Sequence, residues 1–163
     1  MARGHFLENR IPPPLWAALF AGGMWLLHRT APLAVIVPRA WRWTGIVLAL
    51  LGFALDVWCI RFFRRAHTTV NPLAPQRSSA LVTGGPFALS RNPMYVGMLL
   101  WLTGWAVYLG SLSPFLTVPV FVLVLTRLQI IPEERALRQI FGDAFAAYCR
   151  RVPRWLGLVR KAS

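Results

Sequence analysis

The chain has 163 residues, of which 56% are hydrophobic and 14% are charged, whereas soluble domains carry roughly 25% charged residues. Its 18 basic and 5 acidic residues give a net charge of +13, but long apolar runs separate the clusters of arginine. This pattern excludes a soluble globular domain, a disordered basic tail and a nucleic-acid-binding module, whose charges would lie on a polar surface. It is typical of a membrane protein, and the chain is too short to add a separate soluble catalytic domain.

Four apolar runs predict four membrane helices in succession. The turn at 110–114 between the third and fourth runs is so short that it predicts a tight helical hairpin. Pro119 lies inside the fourth run, where a membrane helix tolerates it with a kink. We therefore predict an all-α integral membrane protein with one membrane-embedded domain over residues 1–163 and spans at about 13–37, 43–63, 94–110 and 112–130.

The basic residues predict how these helices are oriented. Fifteen of the 18 lie in or beside the N-terminal tail, the loop 64–93 and the tail 131–163. Cytoplasmic segments carry an excess of Lys and Arg, so both termini and this loop are predicted to be cytoplasmic, facing anionic lipids of a bacterial inner membrane. Within the tail, Pro132 and the two glutamates after it suit a first helical turn, and apolar residues at helical spacing predict a cytosolic amphipathic helix interrupted at Gly142.

Common catalytic and metal-binding motifs are absent from the sequence. It has no GxGxxG, phosphate loop, HExxH or CxxC pattern, and Cys59 and Cys149 are interpreted as structural. The informative stretch is 81–97, where a glycine turn, an aromatic residue and Arg91-Asn92-Pro93 precede an apolar helix. Arg91 and Tyr95 also suit an interfacial anchor and an aromatic belt, so this stretch alone leaves a structural role open.

A second block of residues in the tail favours a functional role for this stretch over a structural one. Arg91-Asn92-Pro93-Met94-Tyr95 is followed, after the hairpin, by Glu133-Glu134-Arg135, Phe141-Gly142, Tyr148 and Val152-Pro153-Arg154-Trp155. In this order the blocks resemble the integral-membrane methyltransferases, which comprise the isoprenylcysteine carboxyl methyltransferases and the phospholipid N-methyltransferases, over roughly residues 45–157. The resemblance implies a short bacterial-type member with S-adenosylmethionine as cofactor, S-adenosylhomocysteine as product and a lipophilic acceptor that enters from the bilayer.

The resemblance also implies which residues bind the cofactor. In the carboxyl-methylating branch the contacts lie before the glycine turn, at the next aromatic, after the motif arginine and at a tail glutamate. Matched without gaps, the implied cofactor-binding residues are Ser79, Ala80, Leu81, Val82, Phe87, Asn92, Pro93, Met94, Tyr95 and Glu133. In the phospholipid branch a glycine of an earlier helix touches the cofactor, and Gly52 is its nearest counterpart here.

Two departures from the family pattern leave the acceptor open. Relatives often have His where this chain has Asn92, which removes a titratable group. The carboxyl methyltransferases have Arg four residues before the tail glutamate, where this chain has Gln129. The acceptor is therefore a phospholipid amine, a prenylcysteine carboxylate, a thiol or another lipid. The candidates for orienting its polar end are Arg127, Arg91 and Arg154.

The motifs leave the roles of other polar residues open. Asp56 is a carboxylate inside an apolar run, which suggests either a functional group or a partner for an arginine of the loop or tail. His67 is a possible lining residue, and Glu134 is expected to pair with Arg138, four residues later. Two alternatives to the methyltransferase remain: an NAD(P)H-dependent membrane reductase, since sterol reductases share a similar C-terminal pattern, and a non-catalytic scaffold or small transporter, which Asp56 alone supports.

Overall fold

The computed structural model describes residues 11–65 and 81–157, and most of these residues lie in helices. The five α-helices are α1 (Pro13–Thr30), α2 (Trp43–Arg65), α3 (Pro93–Leu109), α4 (Leu112–Leu125) and α5 (Ile131–Arg151). A π-helical turn, Thr126–Ile130, joins α4 to α5, and two short 3-10 turns occupy Arg39–Trp41 and Gly85–Ala88. The predicted all-α fold is confirmed in these ranges, where an isolated bridge between Val35 and Ser111 is the extent of the β pairing.

Within the described residues, two continuous helical stretches are long and apolar enough to cross a membrane, Arg39–Arg65 with 27 residues and Leu112–Arg151 with 40. α3 is apolar as well but shorter, at 17 residues. The helices α3 and α4 form the predicted hairpin: Gly110 has φ 82° and ends α3 in a left-handed conformation that suits glycine. We call this end of the bundle the hairpin end.

The first helix ends earlier than predicted, at Thr30 rather than near residue 37. Pro32 accounts for the difference, because a proline disfavours helical geometry in the residue before it. The chain then runs along the hairpin end, where Ile36 and Val37 donate backbone hydrogen bonds to the carbonyl of Gly110 at 2.9 and 3.1 Å. At the same end, Nδ1 of His28 lies 2.7 Å from the hydroxyl oxygen of Ser111, and this hydrogen bond joins α1 to the hairpin.

The closest helix contact joins α2 and α3, which run antiparallel and carry glycines at the same heptad spacing. A methyl group on Gly45 would overlap the carbonyl of Gly104, and one on Gly52 would overlap the carbonyl of Gly97. Small residues at both positions let the two backbones approach directly, as in helix pairs within membranes. Gly52 is therefore packed against α3, and its predicted contact with the cofactor stays a prediction.

On its other side, α3 packs against α1 and α4 around a core of buried apolar side chains. Its members include Met24, Leu102, Phe121 and Leu125, each fully buried. Phe20 meets Phe121 edge to face with ring centroids 5.2 Å apart. α3 thus separates two interfaces, one made of backbone contacts with α2 and one of large side chains from α1 and α4.

The π-helical turn follows from Pro132, which lacks the N–H that would bond the carbonyl four residues earlier. The chain widens there, and the N–H of Ile131 bonds the carbonyl of Thr126, five residues back. Further along α5, Gly142 has φ 47° and ψ −120°, which confirms the predicted interruption of the tail helix. We call the opposite end of the bundle, where α1 begins, α2 ends, α3 begins and α4 passes into α5, the motif end.

Candidate functional site

The segment before α3 forms a turn that packs on the end of α2. Phe87 is buried in the 3-10 turn, and its ring lies 4.8 Å from that of Phe63, centroid to centroid. Asn92 precedes the helix and Pro93 occupies its first turn, where its missing N–H costs no hydrogen bond. This geometry brings Asn92 and Tyr95 to the motif end of the bundle.

The tail covers this turn through a set of specific hydrogen bonds. The hydroxyl of Tyr148 donates to the carbonyl of Phe87 at 2.7 Å, and the backbone N–H of Arg91 donates to the carbonyl of Pro153 at 2.9 Å. The amide of Asn92 donates to the carbonyl of Arg154, also at 2.9 Å. The two sequence blocks, about 60 residues apart, therefore form one unit, held by side-chain donors of Tyr148 and Asn92 and by one backbone bond at Arg91.

Tyr95 and Glu133 form the central contact of the site. The Tyr95 hydroxyl donates to Oε1 of Glu133 at 2.6 Å, a length typical of a bond to a charged acceptor. Burial raises the pKa of Glu133 to about 8, with the neighbouring charge of Glu134 acting in the same direction and the tyrosine bond opposing both. Glu133 is thus a carboxylate that a cationic or hydroxyl-bearing ligand would keep ionised.

Glu134 joins two arginines from different parts of the chain. Arg154 donates through Nε and Nη2 to its two oxygens at 3.1 and 2.7 Å, and Nη2 of Arg91 lies 3.2 Å from Oε1. These hydrogen bonds between its guanidinium and the carboxylate of Glu134 raise the pKa of Arg154. The predicted pair of Glu134 with Arg138 is wrong, because the carboxylate points toward the turn before α3 instead of along its own helix.

Four buried side-chain atoms in the described part of the chain have no hydrogen-bonding partner, and all four lie toward the motif end. They are Nε1 of Trp16, Oδ1 of Asp56, Nε of Arg91 and Oε1 of Gln129. Buried polar groups are nearly always paired in folded proteins, so such a concentration points to groups that meet a ligand or ordered water. Oδ1 of Asp56 lies against Gly97. Among the described residues, no arginine of the loop or tail forms a hydrogen bond with this atom.

The predicted cofactor-binding residues divide into three groups. Phe87, Asn92, Pro93, Met94, Tyr95 and Glu133 lie on the elements that meet at the motif end, and Leu81 packs on the apolar side of α5. Val82 follows Leu81 and is half-buried. Ser79, Ala80 and His67 lie outside the described residues.

The three arginine candidates are placed differently. Arg91 and Arg154 meet at Glu134, whereas Arg127 is exposed on the π-helical turn and takes no part in this contact. Gln129, two residues later, is fully buried. Ser90, whose hydroxyl donates to the carbonyl of Arg154 at 3.3 Å, was missed by the sequence reasoning, as were Trp16 and the glycine pairs. The heptad spacing of the glycines was a signal for close helix packing, but no signal marked the other two.

Residues that could hold a metal ion are not clustered in the described ranges, where no group of three His, Cys, Asp or Glu side chains is found. The arrangement instead offers a carboxylate with a tyrosine hydroxyl, a neutral amide and a guanidinium beside apolar walls. Such a set can position a polar ligand and neutralise its charges.

Comparison with known proteins shows which family and which enzymes this chain is similar to. Residues 40–144 match the family model described as phospholipid methyltransferase. The protein-S-isoprenylcysteine O-methyltransferase B of Arabidopsis thaliana is 30% identical over 109 residues, covering 67% of this chain and 55% of that protein. The probable protein-S-isoprenylcysteine O-methyltransferase of Oryza sativa subsp. indica is 33% identical over 113 residues, covering 68% and 58%.

A weaker similarity leads to a different enzyme. The Delta(14)-sterol reductase TM7SF2 of Mus musculus is 28% identical over 126 residues, covering 67% of this chain but 30% of the reductase. No solved structure matches the chain. The chain spans a little over half the length of the two plant methyltransferases. With the family model matching more than half of its residues, the chain belongs to the phospholipid methyltransferase family.

Proposed function

We propose that this protein is a membrane methyltransferase that uses S-adenosylmethionine to methylate a lipophilic acceptor. The observation that carries the proposal is the 2.6 Å bond from Tyr95 to Glu133, because it joins the two sequence blocks at the end of the bundle where buried polar atoms lack partners. The family and its methyltransferase relatives support the same reaction class.

The residues at the motif end fit the proposed donor. Glu133 supplies a carboxylate for its ammonium group or ribose hydroxyls, with Tyr95 fixing the direction of that carboxylate. Phe87 and Leu81 offer apolar surface, and Asn92 offers a neutral amide already held by the carbonyl of Arg154. When bound, the donor supplies an electrophilic methyl group on a positively charged sulfur.

Methyl transfer of this kind is an in-line displacement, in which the acceptor's lone pair forms the new bond as the carbon–sulfur bond breaks. It needs little acid–base help, so the protein contributes chiefly by holding the reactants in line and excluding water. The hydrogen bonds of Asn92 and Tyr95 fix this part of the site on the first turn of α3. Such positioning is the main catalytic contribution we assign to the chain.

Among the arginines, Arg91 is the best candidate for orienting an acceptor. Its Nε is buried and unpartnered, while Nε and Nη2 of Arg154 both donate to Glu134. Arg127 is exposed away from this contact. We therefore propose that Arg91 binds and orients the polar end of the acceptor.

The proposal includes a topology of four spans with the motif end in the cytoplasm of a bacterium. The distribution of the 18 basic residues supports it, because 15 of them lie in or beside the N-terminal tail, the loop 64–93 and the tail 131–163 of the sequence. In this arrangement the donor reaches the site from the cytoplasm and the acceptor from the bilayer.

The test is binding of S-adenosylhomocysteine to protein purified in detergent, measured by calorimetry. Saturable binding is expected for the wild type and for Asp143→Asn, an exposed carboxylate of α5, and loss of binding for Glu133→Ala. Tyr95→Phe should weaken binding because it removes the bond that directs the carboxylate. Folded wild-type protein that binds no S-adenosylhomocysteine but shows a thermal shift with NADPH would replace this proposal with the reductase.

A further inference from the structure

Asp56 is an ionisable group to which the proposed methyl transfer gives no role so far. It lies inside the apolar helix α2, and its Oδ1 is buried without a hydrogen-bonding partner. The oxygen lies against Gly97 of α3, where a methyl group would overlap it, so the absence of a side chain there makes room for the carboxylate. Carboxylates within a membrane are costly, and they mark sites that act on a ligand, an ion or a proton.

The contact with Gly97 places this carboxylate beside the first turns of α3. Gly97 follows Pro93 by four residues, so the two lie on the same face of α3, about 6 Å apart along its axis. At the start of the helix, Asn92 and Tyr95 are bonded to the tail. Asp56 is therefore about one turn further from the motif end than the residues proposed to hold the donor.

The same carboxylate borders the exposed surface of α2. The side chain of Asp56 is only partly buried, and Phe53, one turn earlier on α2, is 64% exposed. Eight residues, or about 12 Å along the helix, separate Asp56 from Arg64 near the end of α2. Asp56 thus contacts α3 on one side and borders the bilayer on the other, which is the side from which the proposed acceptor enters.

The neighbouring ionisable groups do not compete for a proton at this position. On α2, the thiol of Cys59 is fully buried, and Arg61 is exposed. The sequence of α3 has no charged residue; its Tyr95 packs in the core with α1 and α4, and its Tyr108 lies near the hairpin end. The glutamates at the start of α5 are bonded to a tyrosine and to two arginines. In the described part of the chain, Asp56 is therefore the free base beside the first turns of α3.

We propose that Asp56 is the base that removes a proton from the methyl acceptor. The inference rests on the proposed function, because an acceptor that enters with hydrogen on its nitrogen or sulfur has to lose a proton in the reaction. That proton passes to a carboxylate oxygen of Asp56. The freed lone pair forms the bond to the methyl carbon, and the electron pair of the broken carbon–sulfur bond stays on sulfur. The carboxyl group then releases its proton to water before the next turnover.

This role also selects among acceptors. An amine or a thiol carries a proton for Asp56 to remove, whereas a carboxylate acceptor is already ionised and needs no base. The carboxylate of Asp56 would moreover repel a second carboxylate brought close to it. Acceptors with an N–H or S–H group are therefore favoured.

Carbodiimide labelling tests the access to Asp56 without methyl transfer. Dicyclohexylcarbodiimide is an apolar reagent that enters the bilayer and modifies carboxyl groups in apolar surroundings. It is added to the full-length protein in vesicles of phosphatidylethanolamine and phosphatidylglycerol. Mass spectrometry should find the adduct on Asp56 several-fold above that on Asp143, the exposed carboxylate of α5. An adduct on Asp143 but not on Asp56 would show that the bilayer does not reach Asp56, and it would overturn the inference.

The catalytic role is tested through kcat for labelling a whole bacterial lipid extract at saturating S-adenosylmethionine. Asp56→Asn preserves the size of the side chain, so Tm and the affinity for S-adenosylhomocysteine should stay at the wild-type values. Its kcat should fall by about 100-fold, the lower end of the range for a general base. From about pH 5 to pH 9 the wild-type kcat should rise and level off, because the base must be ionised, and the variant should lose that rise. Asp143→Asn should match the wild type throughout.

Modification of the wild type keeps the test independent of how well the variant folds. Treatment with dicyclohexylcarbodiimide should lower the wild-type kcat in proportion to the adduct on Asp56. Wild-type kcat in Asp56→Asn, or full activity of the modified protein, would overturn the base alone. A loss of S-adenosylhomocysteine affinity equal to the loss of kcat would also overturn it, since Asp56 would then act on the donor. Wild-type protein that transfers no methyl group would overturn the proposed function and the base together, even with Asp56 labelled.

Discussion

Glu134→Gln is expected to destabilise the protein strongly, because one carboxylate neutralises two arginines. The side chains of Arg91 and Glu134 are 13% and 15% exposed, so most of that pair is removed from water, while the Arg154 side chain is 37% exposed. Removing one member of a buried pair costs about 3–5 kcal/mol, whereas an exposed pair contributes about 1 kcal/mol or less.

Glutamine retains one acceptor oxygen, so we expect a loss of about 2–4 kcal/mol in the free energy of unfolding. For a chain of this length that corresponds to a fall of roughly 5–15 °C in Tm. The measurement is thermal unfolding in detergent, followed by tryptophan fluorescence. Asp143→Asn, which neutralises an exposed carboxylate on the same helix, should stay within about 0.5 kcal/mol of the wild type.

A second substitution separates the charge effect from general damage to the helix. Adding Arg91→Gln to Glu134→Gln removes the unpaired buried cation, so the double variant should be more stable than the sum of the two single effects predicts. Glu134→Gln with the stability of Asp143→Asn, or a double variant with additive effects, would refute the reasoning from the shared carboxylate.

The remaining predictions concern helix packing and pH. Gly97→Ala should lower the free energy of unfolding by about 1–3 kcal/mol, because the new methyl group would overlap Oδ1 of Asp56. The control is Gly23→Ala, where a new methyl group would meet no atom within 4 Å and the effect should be neutral or stabilising. Equal Tm values for the two variants would contradict the packing account. Affinity for S-adenosylhomocysteine should rise from pH 6 to pH 8, by at most about tenfold per unit, since Glu133 with a pKa of about 8 must lose its proton to bind a cation. Calorimetry should show this rise to be absent in Glu133→Gln, and the same slope in both proteins would exclude Glu133 as its cause.

The sequence predicted the helices well wherever apolar runs were long and clearly ended. The hairpin at Gly110 and the interruption at Gly142 were both predicted, since glycine at a turn or kink is a local signal. The end of α1 was missed because the apolar character continues past Thr30, although Pro32 stops the helix. Local chemistry thus outweighs hydropathy at helix ends.

The resemblance named residues for the candidate site but gave no contacts between them. Family resemblance named Tyr95 and Glu133 separately, and the structure supplies the bond between them. It also redirects Glu134 from its own helix to Arg91 and Arg154, because the tail folds back over the turn before α3 and brings together residues that are far apart in sequence. Trp16 lies in a helix without any motif and became visible only through its unpartnered N–H.

The central claim is tested most directly by transfer of a labelled methyl group from S-adenosylmethionine to a whole bacterial lipid extract. Purified wild-type protein in vesicles of that extract should label at least one extractable lipid, and Glu133→Gln, folded by its thermal unfolding curve, should reduce the rate to background. Wild-type protein that binds S-adenosylhomocysteine yet labels no lipid would contradict a lipophilic acceptor. Equal rates for wild type and Glu133→Gln would contradict the site built around Tyr95 and Glu133.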